Sequence, residues 1–429
     1  MEISELERFN SWWKTGKVRE ELLKDYKRDL FTKLNQYLNK KQMLLIWGLR
    51  RTGKTVMMLQ LIQQLLEREN TDPKHILFFS LDEIVFDIKD VLETYQKEVL
   101  NRNFDEVKTA IFIFLDEVQK SSDWENKLKT YYDLYPNVKF ILSGSASVQL
   151  KKKSAESLAG RLYDFQLKPL SFKEYLELSG VNTNKVKKNY GVWKRTIIPL
   201  FYKYLKFGMF PELVGEDNEE TAKNYIINNV VDRIIYKDLP EDFGIKDLEL
   251  LQNIVHLVSK NPGMLVNYSE IASNLGRDKR TIADYFKYLE AGLIIRFSFN
   301  YRGSSLASMR KLKKAYLTTP NIAFAFSDAF DTWLPKAIEN LAFLILDANF
   351  FYRNGFEIDI VLPIGGKITA VEVKRTAVEV KQIEKFKEKF GNKVADAFMI
   401  DAEKEGKIGN TGIIPIWKLA LDSGFRIKK

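Results

Sequence analysis

Short apolar runs alternate with amphipathic stretches through the first part of this chain. Residues 1–41 have the spacing of amphipathic helices, and helix-like periodicity separates most of the apolar runs. This alternation predicts a parallel sheet with helices on both faces, an α/β fold for residues 1–170. The runs with the length and composition of buried strands are residues 43–47, 75–80, 111–115, 138–142 and 163–167.

The pattern changes three times after residue 170. Residues 171–249 have helical spacing and aromatic-rich faces, which predicts a helical lid over the first domain. Residues 250–302 have the order helix, Gly turn, helix and strand pair, which predicts a winged helix-turn-helix. Residues 303–429 combine a helix with strands that carry charged residues, which predicts a small α/β domain.

Residues 48–55 read GLRRTGKT, the G-x-x-x-x-G-K-[ST] pattern of a phosphate-binding loop. They lie between a predicted strand and a predicted helix at residues 55–67, which is the context that this loop requires. The glycines let backbone N–H groups point at phosphate oxygens, the lysine adds charge, and the last hydroxyl contacts Mg²⁺. The predicted ATP-binding residues are Gly48, Arg51, Thr52, Gly53, Lys54, Thr55 and Val56.

The third predicted strand ends in an acidic pair, Asp116 and Glu117. In a P-loop ATPase, Asp116 would hold Mg²⁺ together with Thr55, and Glu117 would orient and activate the attacking water. The alternative is a buried strand that ends in a solvated acidic turn, and the phosphate-binding loop upstream argues against it. The sequence therefore predicts ATP and Mg²⁺ as cofactors.

Two further positions are candidates for the ATP site. Ser143 and Ser145 follow the fourth strand, where a hydroxyl could contact the γ-phosphate or could simply belong to a Ser-Gly turn. Arg161 follows a glycine just before the fifth strand. A cation there could stabilise transition-state charge at the nucleotide of a neighbouring subunit, and the alternative is an ordinary surface arginine.

Composition narrows the function classes. The 429 residues contain no cysteine, which excludes disulfides and thiolate chemistry, and only two histidines, His75 and His256, neither in a catalytic motif. No apolar run is long enough to span a membrane and the N-terminus does not resemble a signal peptide, so we expect a cytoplasmic protein. The net charge of +10 favours an anionic partner such as DNA, although a lysine-rich surface alone can produce it.

The second helix of the predicted winged helix-turn-helix is basic. It would place cations against DNA, and the alternative is a winged helix that contacts protein. The predicted DNA-contacting residues are Arg277, Lys279, Arg280 and Lys287.

The last segment carries acidic residues at positions suited to metal binding. Glu339 lies on a predicted helix, Asp359 on the strand EIDIVL, and Glu372 and Lys374 two residues apart on the strand ITAVEVKR, which places both on one face. Two carboxylates and a lysine on one sheet face can hold Mg²⁺ and activate water for phosphodiester cleavage. A surface hairpin of alternating charge has the same spacing.

Several stretches together resemble a known family. GLRRTGKT, FLDEVQK, WENKLKTYYD, ILSGSAS, SLAGR and LKPLSF are similar to segments of the predicted archaeal and bacterial P-loop ATPases of the AAA superfamily. In that family a winged helix and a C-terminal domain similar to PD-(D/E)XK nucleases follow the ATPase domain. The resemblance implies ATP binding and slow hydrolysis. It defines no biological process.

The resemblance also implies residue roles. Lys54, Thr55, Asp116 and Glu117 correspond to the nucleotide and Mg²⁺ residues, and Arg161 corresponds to the arginine finger. Ser143 or Ser145 corresponds to the sensor position, where relatives usually have Thr-Gly-Ser and this chain has Ser-Gly-Ser. The nuclease-like tetrad would be Glu339, Asp359, Glu372 and Lys374.

The expected function is thus an ATPase that acts on DNA, with a homo-oligomer or a partner protein as further possibilities and no membrane partner. Three versions stay open. The ATPase could move a winged helix that binds DNA or protein, or it could control a C-terminal nuclease. The third version is a nucleotide-dependent scaffold in which the nuclease-like domain is inactive.

Overall fold

The computed structural model describes residues 1–68, 71–82, 86–145, 158–302, 312–327 and 329–422. Within these ranges the chain forms two compact units, Met1–Lys168 and Pro169–Lys429. Residues 303–311, the first residues of the predicted C-terminal domain, lie outside the described residues.

The first unit is built on a five-stranded parallel sheet with the order β2-β3-β4-β1-β5. Each strand is a short run of buried apolar residues, as expected for a parallel sheet that is covered on both faces. The predicted α/β fold is confirmed, and the strand bounds differ from the predicted ones by at most two residues. The strands are β1 (Met43–Trp47), β2 (Ile76–Ser80), β3 (Ile111–Asp116), β4 (Val138–Gly144) and β5 (Leu162–Gln166).

Alternate residues of each strand enter two separate cores, one on each face of the sheet. In β1, Leu45 packs in one core and Leu44 in the other. The helices Ile88–Thr94 and Trp124–Leu134 cover the first face, and the helices Asp29–Tyr37 and Lys54–Leu66 cover the second. The predicted arrangement of helices on both faces is therefore confirmed.

The N-terminal helices Ile3–Phe9 and Trp12–Thr15 protect the open edge of the sheet at β2. The Asn10 side chain donates to the Phe78 carbonyl at 2.8 Å and accepts from the Phe78 N–H at 2.7 Å. The indoles of Trp12 and Trp13 both donate to the Ile76 carbonyl, at 2.9 and 2.8 Å. Side chains thus satisfy edge groups that another strand would otherwise pair with.

The second unit begins with helices and continues into a mixed sheet. Asn and Ser side chains cap several of the helices by accepting a backbone N–H from the first turn. This agrees with the helical character predicted for residues 171–249. The helices of this segment are Phe172–Leu178, Thr183–Lys188, Tyr190–Lys206, Glu219–Ile226 and Leu239–Phe243.

A helix, a strand, two helices and two strands follow. The first strand, β6 (Met264–Leu265), and the next, β7 (Ile295–Asn300), both pair antiparallel with β8 (Lys313–Leu317). The turn between the second and third helices contains Gly276 at a φ of 61°, a left-handed conformation that glycine adopts without strain. The three helices are Leu248–Lys260, Tyr268–Leu275 and Lys279–Ala291.

The remaining strands extend the same sheet instead of starting a new one. Strand β9 (Phe350–Arg353) pairs in parallel with β7, and β10 (Glu357–Ile364) and β11 (Lys367–Lys374) follow antiparallel. Strand β12 (Val394–Asp401) then pairs in parallel with β11, and β13 (Gly406–Ile408) and β14 (Thr411–Pro415) complete the edge. The result is one nine-stranded sheet across the predicted boundary between residues 302 and 303.

Among the described residues, four helices accompany these strands: Pro320–Ala325 and Phe330–Ile345 before β9, Lys381–Phe390 between β11 and β12, and Ile416–Leu421 after β14. In the described part of the chain, no helix is long and apolar enough to cross a membrane.

Candidate functional site

The loop between β1 and the helix Lys54–Leu66 has the backbone shape that phosphate binding requires. A Cβ atom on Gly48 would lie 2.3 Å from the Leu167 carbonyl oxygen, so only glycine fits this approach to the chain after β5. Gly53, which precedes the helix, has a φ of 92°, and Arg51 also has a positive φ of 62°. The loop therefore ends at a helix N-terminus, where free N–H groups and the helix dipole favour an anion.

Polar contacts hold this loop in place. The Lys54 ammonium donates to the carbonyls of Gly48 and Leu49, each at 3.2 Å, and its side chain is buried inside the loop. The Thr52 hydroxyl donates to the Leu49 carbonyl at 2.8 Å, and Arg28 donates to the Thr52 carbonyl at 3.1 Å. Arg28 was not predicted, because it lies 20 residues before the motif in a stretch whose amphipathic pattern predicts helices and no ligand contact.

The Asp116 carboxylate lies at the centre of the site. It accepts a hydrogen bond from the Thr55 hydroxyl at 2.7 Å on one oxygen and a hydrogen bond from the Ser143 hydroxyl on the other. Burial raises the pKa of Asp116, and the Glu117 carboxylate adds to the rise, while Ser143, Thr55 and Lys54 oppose it. The structure thus brings the end of β3, the end of β4 and the start of the helix together.

Glu117 follows Asp116 in a left-handed conformation with a φ of 57°, which is uncommon for a residue with a side chain. Its N–H donates to the Ser143 hydroxyl at 3.3 Å, and its carboxylate accepts from the Gln119 amide at 2.5 Å. The side-chain oxygen of Gln119, Oε1, in turn accepts a hydrogen bond from the Ser145 N–H at 3.3 Å. Gln119 was not predicted, and its position two residues after the acidic pair was the signal available.

Thr55 and Asp116 suit Mg²⁺. A hydroxyl and a carboxylate within hydrogen-bond distance offer the hard oxygen ligands that Mg²⁺ takes from protein, while water and phosphate oxygens supply the rest. Arg51 and Thr55 are exposed, and Val56 lies in the first helical turn. All the predicted ATP-site residues except Arg161 therefore lie at the carboxyl ends of β1, β3 and β4.

Arg161 lies at the other end of the sheet. The Met43 N–H donates to the Arg161 carbonyl at 2.8 Å, at the start of β1, whereas the phosphate-binding loop follows the end of β1. Five strand residues rise about 16 Å, so Arg161 and the phosphate-binding loop of its own chain lie at opposite ends of β1. Its guanidinium pairs with Asp133, with Nε to Oδ1 at 2.9 Å and Nη2 to Oδ2 at 3.1 Å.

The predicted DNA-contacting residues share an exposed region at the helix Lys279–Ala291. Arg277 pairs with Asp247 at 3.0 Å, and Lys287 pairs with Asp284 at 2.7 Å. Asp278 accepts the Arg280 backbone N–H at 2.7 Å and so begins the helix with a side-chain cap. Lys279 and Arg280 are exposed at the first turn.

The acidic residues predicted near the C-terminus come together. Asp359 lies on β10 and Glu372 on β11, and burial, followed by the carboxylates of Glu339 and Glu372, raises the pKa of Asp359 well above its ordinary value. Lys374 pairs with Glu372 Oε1 at 2.7 Å, as the shared strand face predicts. Asp359 Oδ2 accepts the Val373 N–H at 2.8 Å, which fixes its carboxylate against the neighbouring strand.

Lys314, on β8, enters the same cluster and was not predicted. Its ammonium lies 2.6 Å from Glu357 Oε1, 3.1 Å from Glu339 Oε1 and 3.9 Å from Asp359 Oδ1. Tyr316, two residues along the same strand, donates to Glu339 Oε1 at 2.5 Å. Burial lowers the pKa of Lys314, but the carboxylates of Glu339, Asp359 and Glu357 raise it above the ordinary value, so Lys314 is a cation at neutral pH.

This cluster does not fit the divalent cation that nuclease-like folds use. Glu339 Oε1 contacts both the Lys314 ammonium and the Tyr316 hydroxyl, and Asp359 Oδ2 accepts a backbone N–H. Glu372 Oε1 pairs with the other lysine of the cluster, Lys374. In the ranges that the structure describes, no group of three or more acidic or histidine side chains is arranged to hold a metal ion. A pocket of about 430 Å³ opens beside Lys314, Glu339 and Glu357.

Two stretches match known protein families. Residues 40–176 match a family described as AAA domain, which covers the sheet and the phosphate-binding loop. Residues 198–332 match a domain of unknown function, DUF8612, and this range crosses the predicted boundaries after residues 249 and 302. The first unit thus carries a P-loop domain of the AAA type.

Similar curated proteins occur in bacteria and archaea. An uncharacterized protein of Haemophilus influenzae is 24% identical over 347 residues, 79% of this chain and 80% of that protein. An uncharacterized protein of Methanocaldococcus jannaschii is 30% identical over 304 residues, 66% of this chain but only 62% of that protein. The similarity in each case extends over far more of the chain than the AAA domain alone.

Similar solved structures include the Aeropyrum pernix ORC1 protein in complex with DNA, at 13% identity and a TM-score of 0.34, with 72% of this chain and 95% of that chain covered. A DNA polymerase III gamma subunit-related protein from Thermotoga maritima gives 13% identity and a TM-score of 0.29, with 61% and 97% covered. Likenesses this distant say nothing about ligands or partners.

Proposed function

We propose that this chain is a Mg²⁺-dependent ATPase that acts on DNA through its second unit. The observation that carries the proposal is the Asp116 carboxylate, which accepts hydrogen bonds from both Thr55 and Ser143 beside a glycine-shaped loop at a helix N-terminus. This set of groups combines a phosphate cradle, a pair of Mg²⁺ ligands and a neighbouring acid. It supports nucleotide hydrolysis better than simple anion binding.

Each residue has a role in this mechanism. Lys54 leaves the Gly48 and Leu49 carbonyls and binds the β- and γ-phosphates, because phosphate is the stronger acceptor for its ammonium. Thr55 and Asp116 would hold Mg²⁺, and the bound ion would neutralise phosphate charge. Glu117 orients the attacking water and takes up its proton, and Ser143 positions both Asp116 and Glu117.

The second unit supplies the DNA-binding part of the proposal. Its order of helix, strand, two helices and two strands is that of a winged helix, and Lys279 and Arg280 are exposed at the start of its third helix. The helix Phe330–Ile345, the strands β9, β10 and β11, the helix Lys381–Phe390 and β12 have the order of a nuclease-like fold. We propose that this part of the chain contributes to DNA binding and does not cleave DNA, because the Lys314 ammonium contacts the carboxylates that a catalytic metal would need.

ATP hydrolysis by purified protein with Mg²⁺ tests the proposal. Lys54→Ala should lose most ATP binding, whereas Glu117→Gln should keep binding and lose turnover, since it removes the base and keeps the metal ligand. Hydrolysis by Glu117→Gln at the wild-type rate would refute the assignment of the base. Titration of a fluorescent DNA duplex with wild-type protein tests the DNA-binding part of the proposal separately. If no binding occurs at low salt, that part of the proposal is wrong.

The arginine-finger role of Arg161 is part of the same proposal. Because Arg161 lies at the opposite end of the sheet from its own phosphate-binding loop, it can serve a nucleotide only from a neighbouring subunit. We therefore propose that hydrolysis requires a homo-oligomer. The role of residues 171–249 as a helical lid over the nucleotide stays a prediction.

A further inference from the structure

The Lys314 ammonium supplies the positive charge that the carboxylates of the acidic cluster need. Metal-dependent sites gather carboxylates around a divalent cation, which lies about 2 Å from each ligand oxygen. Here a lysine ammonium lies close to Glu357, Glu339 and Asp359, and the lysine side chain is only 5% exposed. A metal ion bound to the same oxygens would lie next to this ammonium, and like charges repel strongly in a buried site.

We propose that Lys314 permanently occupies the place of the divalent cation in the nuclease-like cluster, so that the wild-type cluster binds neither Mg²⁺ nor Mn²⁺. The inference rests on the nuclease-like fold of the proposed function, and it is independent of ATP hydrolysis. Its consequence is that this cluster holds strands together and does not cleave phosphodiesters.

The surroundings of Lys314 keep it in this position. Tyr316 lies on the same face of β8 and donates to the Glu339 oxygen that Lys314 also contacts. A Cβ atom at Gly263 would lie 2.9 Å from the Tyr316 ring and 3.2 Å from Glu339 Oε1, so the turn before β6 packs directly against these two groups. The turn before β6 therefore helps to hold Glu339 beside the Lys314 ammonium.

The cluster nevertheless retains an oxygen that a cation could use. Glu372 is 4% exposed, and its Oε2 atom has no hydrogen-bond partner within the described ranges, while its Oε1 atom pairs with Lys374. Its position beside Asp359 follows from the pairing of β10 with β11. Removal of the Lys314 ammonium would take away the cation that contacts Glu339 and Asp359 and would leave their oxygens beside this unpaired Glu372 oxygen. Carboxylate oxygens of this kind are the donors that a hard metal ion requires.

The structural role of Lys314 follows from the elements that it joins. It lies on β8, whereas Glu339 lies on the helix Phe330–Ile345 and Glu357 and Asp359 lie on β10. The ion pairs therefore fix the last strand of the proposed winged helix to the core of the nuclease-like fold. In this arrangement the acidic residues serve as the attachment point for the wing.

Direct Mn²⁺ binding to the full-length protein tests this inference. All proteins carry Asp116→Asn and are assayed without nucleotide, so that the ATP site contributes no metal. The test variant is Lys314→Met combined with Glu357→Gln, which removes the shortest ion pair while the net charge of the cluster stays the same. The control is Lys374→Met, which removes the other lysine of the cluster and makes the cluster one charge more negative. Mn²⁺ is titrated and followed by electron paramagnetic resonance and by calorimetry.

The parent and the Lys374→Met protein should show no Mn²⁺ binding that depends on Glu372. Addition of Glu372→Gln to either protein should therefore leave its Mn²⁺ titration unchanged. The Lys314→Met/Glu357→Gln protein should bind one Mn²⁺ that the parent does not bind, should lose it on addition of Glu372→Gln, and should melt at a higher temperature with Mn²⁺ than with EDTA. Glu372-dependent binding to the parent would overturn the inference. So would a folded test variant that binds no Mn²⁺. If the test variant does not fold, Lys314→Gln, which still donates to Glu339, replaces it with the same expected results.

Discussion

The Gln119 amide donates to the Glu117 carboxylate at 2.5 Å, and the same side chain accepts the Ser145 N–H at 3.3 Å. Gln119 thus links the proposed base to the chain just after β4. Glu117 has an uncommon positive φ of 57°, and the Gln119 amide holds its carboxylate by a direct hydrogen bond. The orientation of the base therefore depends on a residue outside the phosphate-binding loop and the acidic pair.

Replacement of Gln119 should lower turnover without weakening ATP binding. In Gln119→Leu the carboxylate loses its donor, and kcat should fall about tenfold, the effect of one hydrogen bond of roughly 1.4 kcal/mol. Gln119→Glu should be slower still, because a second carboxylate repels the first. Steady-state hydrolysis and binding of a fluorescent ATP analogue separate the two effects. An unchanged kcat in both variants would contradict the positioning role.

Arg161 should act only between subunits. Arg161→Ala should reduce hydrolysis by at least tenfold and leave ATP affinity nearly unchanged, since the lost group contacts only transition-state charge. Mixtures of Arg161→Ala with Lys54→Ala should recover activity, because the intact Arg161 of one chain serves the intact loop of the other. Asp133→Asn is the control, as it breaks the observed ion pair and leaves the arginine in place. If the associated mixture stays inactive, Arg161 has only a structural role.

DNA binding should depend on salt and on the first turn of the helix Lys279–Ala291. Each phosphate contact that Lys279→Ala/Arg280→Ala removes should reduce the slope of log K against log salt by about 0.9. Lys385→Ala/Lys393→Ala is a charge-matched control, since both lysines are exposed in the same unit but outside the proposed winged helix. Equal effects of the two double variants would indicate nonspecific attraction to a basic surface.

The sequence predicted the first unit closely because its signals are local. A parallel strand covered on both faces is a continuous apolar run, and β1 begins and ends at the predicted residues. Phosphate-loop chemistry also fixes its residues at set spacings, so the Thr55 and Asp116 contact was foreseeable. Gln119 and Arg28, by contrast, act through side-chain hydrogen bonds that the spacing of residues in the sequence does not predict.

The second unit was predicted less completely because its decisive contacts are distant in the chain. Two neighbouring lysines, Lys313 and Lys314, have the pattern of a solvated strand, and only the partners of Lys314, at positions 339, 357 and 359, make its burial favourable. The pairing of β7 with β9 joins residues about fifty positions apart, which local sequence patterns do not reveal. The predicted domain boundary at residue 302 therefore divides a continuous sheet.

The contact between Asn10 and β2 should contribute measurably to stability. Asn10→Ala leaves the buried Phe78 N–H and carbonyl without their side-chain partners, and the free energy of unfolding should fall by about 1–3 kcal/mol. Urea denaturation measures the change. Asn126→Ala is the control, because the exposed Asn126 side chain donates to the exposed Asp123 side chain at 2.6 Å and to no buried backbone group among the bonds that the structure describes. It should change stability by less than about 0.5 kcal/mol.

Stability should rise with pH above neutrality because of Lys139. This lysine donates to the carbonyls of Tyr37, Lys40 and Gln42, and burial lowers its pKa to about 7. Between pH 7 and its ordinary range the unfolded chain holds a proton that the folded chain has released, so stability increases with pH. Relative to Lys139→Met, wild type should gain free energy of unfolding from pH 7 to pH 9. A constant difference would mean that Lys139 stays charged when folded.

The pairing of β7 with β9 also decides where this protein can be divided. A fragment that starts at residue 303 would carry β9 with an open edge, and open edges recruit strands from other chains. Such half-proteins would self-associate instead of behaving as independent modules. Between residues 168 and 169, by contrast, no described sheet is interrupted. Recombination between relatives, or exchange of parts by an experimenter, should therefore succeed at that junction and fail at residue 303.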